Sequence, residues 1–527
     1  MPWWCRALAR GRYSLALLLL VQSPTLWAQT ADPPASAAPA TAAVGAINTD
    51  APPPDLQSSS TDVEDASADS EPLRYLLEGI EVRGNAKTRS RVVLRYIPFQ
   101  PGDVLDVEDP KLVLMRYRLL GTGFFSDVQL SLKKGSRPGS VILQVDVVER
   151  NTLVVNDLWM GLGADADLGG NTQRLTAFAG IDAAETNLAG TGITLGTAVG
   201  LAQDQLALRL RFLDPAFVGT PWMISGELLY NDARDFFGNR AVVWDDPSQV
   251  TGVPKHAVIS YKRFGGLVGM GRDLSVSSQL WLHYRLETID DVRLPRAAAH
   301  EFGGDIEPID FHILPGHSLL STVRATLQHD TRDQPFLTKQ GWWITLSGEL
   351  SLAPFGSDYP YERLDLAAAH WFEMPWHHVL RLDFSAGAIT GDAPVFDQYY
   401  VGDFSDFRPS RILGLNLDRR PSPNFLGTAI SEERYGEYAA KVGAEYRIPL
   451  YRGRRSVYGV DFFVSGGAYA LASQRYLKRP PRNYSGLALI PVDLTANLGL
   501  RADTSVGGFV FSFSNVVGLL PALSEGD

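Results

Sequence analysis

Across 527 residues there is one cysteine, Cys5, close to the N-terminus. The chain beyond it therefore carries no disulfide and no thiolate metal site. Long apolar runs are equally scarce. The only one, Leu15–Val21, has seven residues, far short of the ~18 that a transmembrane helix needs to cross about 30 Å of hydrocarbon. That excludes a helical membrane protein but not a barrel, whose alternating strands give no hydropathy peak. A basic patch is missing as well. With a net charge of −11, nucleic-acid binding has nothing to rest on.

Arg6, Arg10 and Arg12 precede the apolar run and the small-residue segment TLWAQTA follows it. This order reads as a secretory signal peptide over residues 1–28, cleaved near Ala28. Cys5 lies ahead of the apolar run, so it cannot be a lipidation cysteine at the cleavage site. Removal of the leader leaves a charge of −14, of which −8 falls in Gln29–Pro72, a stretch with eight acids and no Lys or Arg. Residues 29–72, rich in Ala, Pro, Ser and Asp, cannot bury enough apolar area to offset chain entropy and read as a disordered tether.

Residues 73–151 form a compact unit. Ile80 and Val82 alternate with Glu81 and Arg83 before Gly84-Asn85 breaks the strand. Asp109-Pro110 is a helix start, and Leu112, Val113, Leu119 and Leu120 follow at helical spacing to face a sheet. Gly121 and Gly123 end the helix. SDVQLSLKK and SVILQVDVVER are alternating strands, completing a β-α-α-β-β order with a three-stranded sheet.

From Thr152 to Pro521, strand follows strand. Leu206, Leu208, Leu210 and Phe212 share one face, with Ala207, Arg209 and Arg211 on the other. Leu280, Leu282, Tyr284 and Leu286 alternate with Trp281, His283, Arg285 and Glu287. Arginines behind an aliphatic row fit a polar lumen inside a lipid-facing wall. A soluble sandwich produces the same local alternation with the aliphatic row inside. The signal peptide, the absence of helical interruption and Trp/Tyr near strand ends favour the barrel. At about 23 residues per strand and connection, the length suits roughly 16 strands.

The small unit, through IEVRGNAKT, RYRLLGTGFFSDVQLSL and VILQVDVVER, resembles a POTRA domain. The larger part resembles the barrel of the BamA/TamA superfamily of outer-membrane assembly and translocation proteins. NLAGTGITL and DPAFVGTP look like its early strands, HDTRDQPFLTKQGWWITL like its mid-barrel segment, GEYAAKVGAEYRIPLYRG and FFVSGGAYAL like two later strands, and LGLRADTSVGGFVFSFSN like its final hairpin. The resemblance implies a transmembrane antiparallel β-barrel over residues 152–521, a short tail at 522–527 and one N-terminal α+β POTRA domain. It also implies residence in the outer membrane of a Gram-negative bacterium, with the POTRA domain in the periplasm.

Function follows from the same resemblance. Unfolded outer-membrane or secreted polypeptides would be captured on the POTRA edge at Ser126, Val128, Leu130 and Leu132, where a client can add as an extra strand. A lumen loop would be anchored by Arg408, with Phe407 beside it, against Glu445 and Ser465. Pro409 and Ser410 depart there from the family's Gly and aromatic, and Ser465 from its Asp. The barrel would close through a weak seam between Val155 and Trp159 on the first strand and Gly507, Gly508, Phe511 and Phe513 on the last. The expected partners are polypeptide clients, the lipid bilayer, and periplasmic chaperones or accessory lipoproteins. Insertion of clients is the first reading, and a dedicated two-partner-type secretion pore the alternative. A passive porin would not need the POTRA domain. GLGADADLGG lacks phosphate-loop or calcium-loop spacing, His377-His378 lack further ligands, and no nucleophile elbow is present. Neither catalysis nor a cofactor or metal is expected.

Overall fold

The computed structural model describes residues 74–166, 172–237, 242–244, 257–295, 298–302, 305–334, 337–404, 411–416, 424–453, 456–481 and 484–514. The leader and tether expected at residues 1–28 and 29–72, and the C-terminal tail, lie outside the described residues.

The small domain contains β1 (Arg74–Arg83), α1 (Ser90–Leu94), β2 (Val104–Asp106), α2 (Pro110–Gly121), β3 (Phe125–Lys134) and β4 (Ser140–Glu149). Its sheet has the order β2-β1-β4-β3. The sheet is thus four-stranded rather than three-stranded, because Val104–Asp106 pairs antiparallel with Arg74–Leu76. β1 and β4 are parallel, with Ile80 opposite Leu143 and Val82 opposite Val145. Gly84 has φ +83°, and a Cβ there would run into the carbonyl oxygen of Val147, so the turn after β1 requires glycine. Asp109 caps α2 by accepting from the Lys111 amide at 2.8 Å, with Pro110 in the first turn. Leu119 and Leu120 face the sheet as the spacing predicts, but Val113 is 50% exposed and Met115 is buried in its place. Position 113 lies about 200° around the helix from 115, so only one of the two can point inward.

The large domain is a fifteen-stranded antiparallel sheet among the described residues, each strand pairing with its neighbours in chain order. Its strands are Leu153–Ala166, Thr172–Glu185, Thr194–Ala202, Gln205–Asp214, Trp222–Phe237, Ala257–Asp273, Ser278–Arg293, Ser318–Asp330, Gly341–Ser351, Tyr361–Glu373, Val379–Gly391, Tyr438–Arg452, Val457–Ala472, Val492–Thr504 and Gly507–Ser514. A wall strand has one partner on each side, so a residue without an amide breaks the ladder. Pro449 marks such a break, with the register shifting between Pro449 and Tyr451.

The alternation separates two environments. Leu208, Leu210, Phe212, Leu280, Leu282 and Leu286 point outward, whereas Ala207, Trp281, His283, Arg285 and Glu287 are buried inside. Burying charge inside while exposing leucine outside is favourable only where the outer solvent is hydrocarbon. Trp222, Trp342, Trp376, Tyr446 and Tyr451 are exposed near the strand ends that face the small domain, where amphipathic rings form an interfacial belt. No described helix is long and apolar enough to span a membrane.

Leu286 lies near the middle of Ser278–Arg293. Leu286→Arg is expected to destabilise the barrel by about 2–4 kcal/mol in bilayers. Guanidinium titration of the refolded protein in liposomes checks this; an unchanged midpoint would place Leu286 off the lipid face.

Candidate functional site

Of the segment between Val379–Gly391 and Tyr438–Arg452, the described residues 392–404, 411–416 and 424–437 fold back into the lumen and are held there by charge. Asp397, 1% exposed, accepts from Arg285 Nη1 at 3.1 Å and Tyr361 Oη at 2.9 Å, and its backbone carbonyl accepts from Arg363 Nη1 at 2.8 Å. Arg285 also donates to Glu287 at 2.5 Å, and Glu287 accepts from Arg263 Nε at 2.9 Å. A second anchor centres on Asp235, which accepts from Tyr261 Oη at 2.6 Å, Tyr435 Oη at 2.8 Å and Asn416 Nδ2 at 3.3 Å. The Arg411 guanidinium lies 3.9 Å from Asp235 and 4.7 Å from the Tyr400 ring centroid. Asn231 and Gln205 donate to the carbonyls of Leu413 and Asn416 at 2.9 and 3.1 Å. On another part of the wall, Asp493 accepts from the Phe425 amide at 2.9 Å. The loop is thereby fastened to several wall strands by buried, mutually neutralising groups, an arrangement in which loss of one partner strands the other.

Arg408 and Phe407 lie outside the described residues. Glu445 and Ser465 face each other across neighbouring strands. Glu445 is held by Arg501 at 2.7 Å, with Arg447 at 3.5 Å and Arg381 at 4.0 Å. Ser465 Oγ accepts from Asn497 Nδ2 at 3.1 Å. Sequence reasoning passed over Asp397, Arg285, Tyr361, Asp235 and Arg411. One signal was present: Arg285 stands opposite the aliphatic row of its strand, so its charge had to find a partner inside.

On the POTRA edge, Ser126 Oγ donates to the Val148 carbonyl at 3.2 Å. Val128 is fully buried, and Leu130 and Leu132 are half-buried against the same core. The Val128 amide donates to Asp127 Oδ1 at 2.8 Å, and its carbonyl accepts from Arg116 Nε at 2.7 Å.

At the seam, fifteen antiparallel strands leave the first, Leu153–Ala166, and the last, Gly507–Ser514, running in the same direction. No ladder joins them among the described residues. They meet at their POTRA-side ends, where the Val155 amide donates to the Val506 carbonyl at 3.1 Å. Gly507 has φ +143°, and a Cβ there would approach the Val155 carbonyl to 2.5 Å. Gly508 is buried beside it, Trp159 points into the lumen core, and Phe511 and Phe513 point outward.

The POTRA domain is fastened beneath the barrel at the hairpin turns. Asn187 Nδ2 donates to Thr88 Oγ1 at 2.8 Å, and the Arg89 amide donates to the Gly190 carbonyl at 2.9 Å. Asp273 takes both Arg118 and Arg95, the latter at 3.4 Å. Gln340 donates to Tyr117 Oη at 3.1 Å, and Arg150 to the Thr504 carbonyl at 3.3 Å. These contacts reach turns far apart around the wall, so the domain lies across the barrel mouth instead of hanging from one strand.

Two predictions concern this junction. Asp273→Asn removes the carboxylate shared by two arginines and should weaken the junction by about 1.5–3 kcal/mol, an effect that 1 M salt should partly mimic. Spin-label distances between POTRA and barrel would broaden; unchanged distances would show that other contacts suffice. The second concerns Glu149, which accepts from the amides of Lys87 and Thr88 at 2.9 and 2.5 Å. Burial pushes its carboxyl up, but the Thr88 and Lys87 hydrogen bonds hold it below the usual carboxylate range. Its stabilisation is therefore present above the unfolded value of about 4.3 and is lost as pH falls through the lower folded value. Amide protection at Lys87–Arg89 should collapse on acidification below that window, and Glu149→Gln should weaken it already at neutral pH. Protection that stays flat with pH in the parent protein would contradict this.

The Omp85 superfamily domain model matches residues 187–517, and the POTRA model, described as surface antigen variable number repeat, matches residues 75–150. The outer membrane protein assembly factor BamA of Nitratidesulfovibrio vulgaris is 25% identical over 345 residues, which are 64% of this chain and 38% of that protein. The chain thus spans less than two fifths of that curated relative. Among solved structures, CdiB from Escherichia coli is similar with a TM-score of 0.52 and 12% identity, covering 84% of this chain and 72% of that one. BamA from Haemophilus ducreyi lacking POTRA domains 1–3 gives a TM-score of 0.44 and 17% identity, with 84% and 81% covered.

Proposed function

The chain belongs to the Omp85 superfamily, and on that premise we propose that it inserts or exports other polypeptides across the outer membrane. The barrel resides in that membrane with the POTRA domain in the periplasm. Unfolded clients dock as extended strands on the POTRA edge that includes Leu130 and Leu132. They then engage the seam between Val155–Trp159 and Gly507–Phe513. Periplasmic chaperones or accessory lipoproteins deliver them. No nucleotide or cofactor takes part: the chemistry is exchange of backbone hydrogen bonds, which water supplies in the periplasm and the wall supplies in lipid.

The observation that carries this reading is the seam. Two edges run in the same direction and are joined at their base by the Val155–Val506 hydrogen bond, so opening them costs little. A client strand entering there gains partners that lipid cannot offer. Arg408 is proposed to brace the lumen loop near Glu445, alongside the anchors at Asp397 and Arg411. A dedicated secretion pore for one or a few substrates is the second reading, ranked below insertion because the two-partner type is expected to carry paired POTRA units and a plug helix, whereas one POTRA match covers residues 75–150.

The test uses the cysteine-poor sequence. Val155→Cys with Val506→Cys places a cross-link at the seam of a mature chain otherwise free of thiols. Proteoliposomes with the reduced protein should accelerate assembly of a urea-unfolded eight-stranded barrel, and oxidation should abolish the gain until reductant restores it. No acceleration by the reduced protein would sink the insertase reading. Equal rates before and after oxidation would remove the seam from it.

A further inference from the structure

The outer edge of β3 is not uniformly open. In an antiparallel pair, successive residues alternate between bonding their partner strand and pointing both backbone groups away from it. Val128 belongs to the second class. Its amide goes to Asp127 Oδ1 at 2.8 Å and its carbonyl receives Arg116 Nε at 2.7 Å, neither of them on β4. The alternation then places the backbone groups of Leu130, Leu132 and Lys134 outward too, while Gln129, Ser131 and Lys133 bond Asp146, Gln144 and Ile142 on β4. The groups that an added strand would need at Val128 are occupied by side chains of the domain itself.

Those side chains are themselves fixed. Arg116 Nη2 is 3.6 Å from Asp127 Oδ1, and the other Asp127 oxygen accepts from Gln129 Nε2 at 3.0 Å. Arg116 sits on α2, so one guanidinium ties helix to strand edge and fills the Val128 acceptor. Beyond this point the edge carries half-buried Leu130 and Leu132, continuous with the domain core, and ends in Lys133 and Lys134.

We propose that Arg116 and Asp127 form a guard that closes the first part of the β3 edge and confines client docking to Leu130–Lys134. This rests on the capture reading above and deepens it. The occupant is a short extended polypeptide strand whose apolar residues extend the Leu130–Leu132 row and whose acidic residue lies at the lysine end. With the outward groups of only three residues available, each encounter makes few main-chain bonds. Capture is therefore weak and reversible, as a domain that passes clients onward requires. The guard also blunts an edge that would otherwise invite a second copy to pair along its length.

The experiment uses the full chain in detergent and a fluorescein-labelled eight-residue peptide of alternating valine and threonine ending in glutamate. Arg116→Ala with Asp127→Ala frees one acceptor and one donor. With two hydrogen bonds gained at about 1 kcal/mol each, peptide affinity should rise roughly thirty-fold, with amide protection by peptide extending from Leu130 and Leu132 to Val128. Lys134→Pro removes an outward amide without touching the β4 ladder and should lower affinity in both backgrounds. Asp127→Asn keeps the acceptor for Val128 and should bind as the parent does. Peptide binding that is indifferent to the double substitution, or protection that falls on β2 or the helices, overturns the guard while leaving capture standing. A looser α2 with no gain in affinity reduces the pair to a structural tie and also overturns it. Absence of binding to every variant overturns capture itself, and the guard with it.

Discussion

Every peptide group placed in hydrocarbon must find a partner within the protein, since an unpaired one costs several kcal/mol. This constraint shapes the whole large domain. It demands strands rather than loops across the membrane, makes each wall strand pair on both sides, and leaves its mark where pairing fails. The register shift at Pro449 is one such place. The seam is another. Among the described residues, fourteen junctions within a fifteen-stranded antiparallel sheet are satisfied by neighbours in chain order, whereas no ladder joins the outer edges of Leu153–Ala166 and Gly507–Ser514, which run in the same direction. The contact at Val155 and Val506 joins the edges at their base, where Gly507 admits the close approach.

The lumen obeys a related rule with charge in place of peptide groups. Wall residues that point inward are shielded from lipid, so arginines and carboxylates can reside there if each is matched. Arg285 bridges its own strand neighbour Glu287 and the loop residue Asp397, so the same cation stabilises the wall and secures what fills it. The Asp235 cluster repeats the arrangement with Tyr435 and Arg411 on the loop side. Anchoring by paired charge, unlike anchoring by apolar contact alone, fixes both position and orientation, because the forked guanidinium accepts few geometries.

Much of this was legible in the chain. The alternation around Leu280–Glu287 divides that strand into an aliphatic and a charged face without any structure, and Asp109-Pro110 marks the start of α2. The fourth POTRA strand was not legible, because Val104–Asp106 is three residues long and periodicity needs more. Choosing between Val113 and Met115 required knowing where the sheet lies. The lumen anchors escaped for a deeper reason: Arg285 and Asp397 are 112 residues apart, and no local pattern joins them. Within DFRPSR the motif resemblance points to Arg408, which lies outside the described residues, while Arg411, three positions on, is described and buried.

A protein of the proposed kind, working by strand addition, faces a conflict between offering edges and surviving them. Long open edges capture any extended chain, including copies of the same protein, whereas fully paired edges capture nothing. The two domains meet this conflict with different means. In the barrel, no ladder joins the two described edges, and the surrounding lipid, not water, sets the reward for a strand that pairs with them. On the POTRA edge water competes for every group, so exposure must be limited by covalent neighbours, and Arg116 and Asp127 are placed to do so at Val128. In the proposed mechanism, weak capture in water followed by stronger pairing in lipid gives a gradient that runs in one direction. The POTRA domain, fastened across the barrel mouth through Asp273 and Asn187, is placed so that, in the proposed mechanism, one client reaches both kinds of edge.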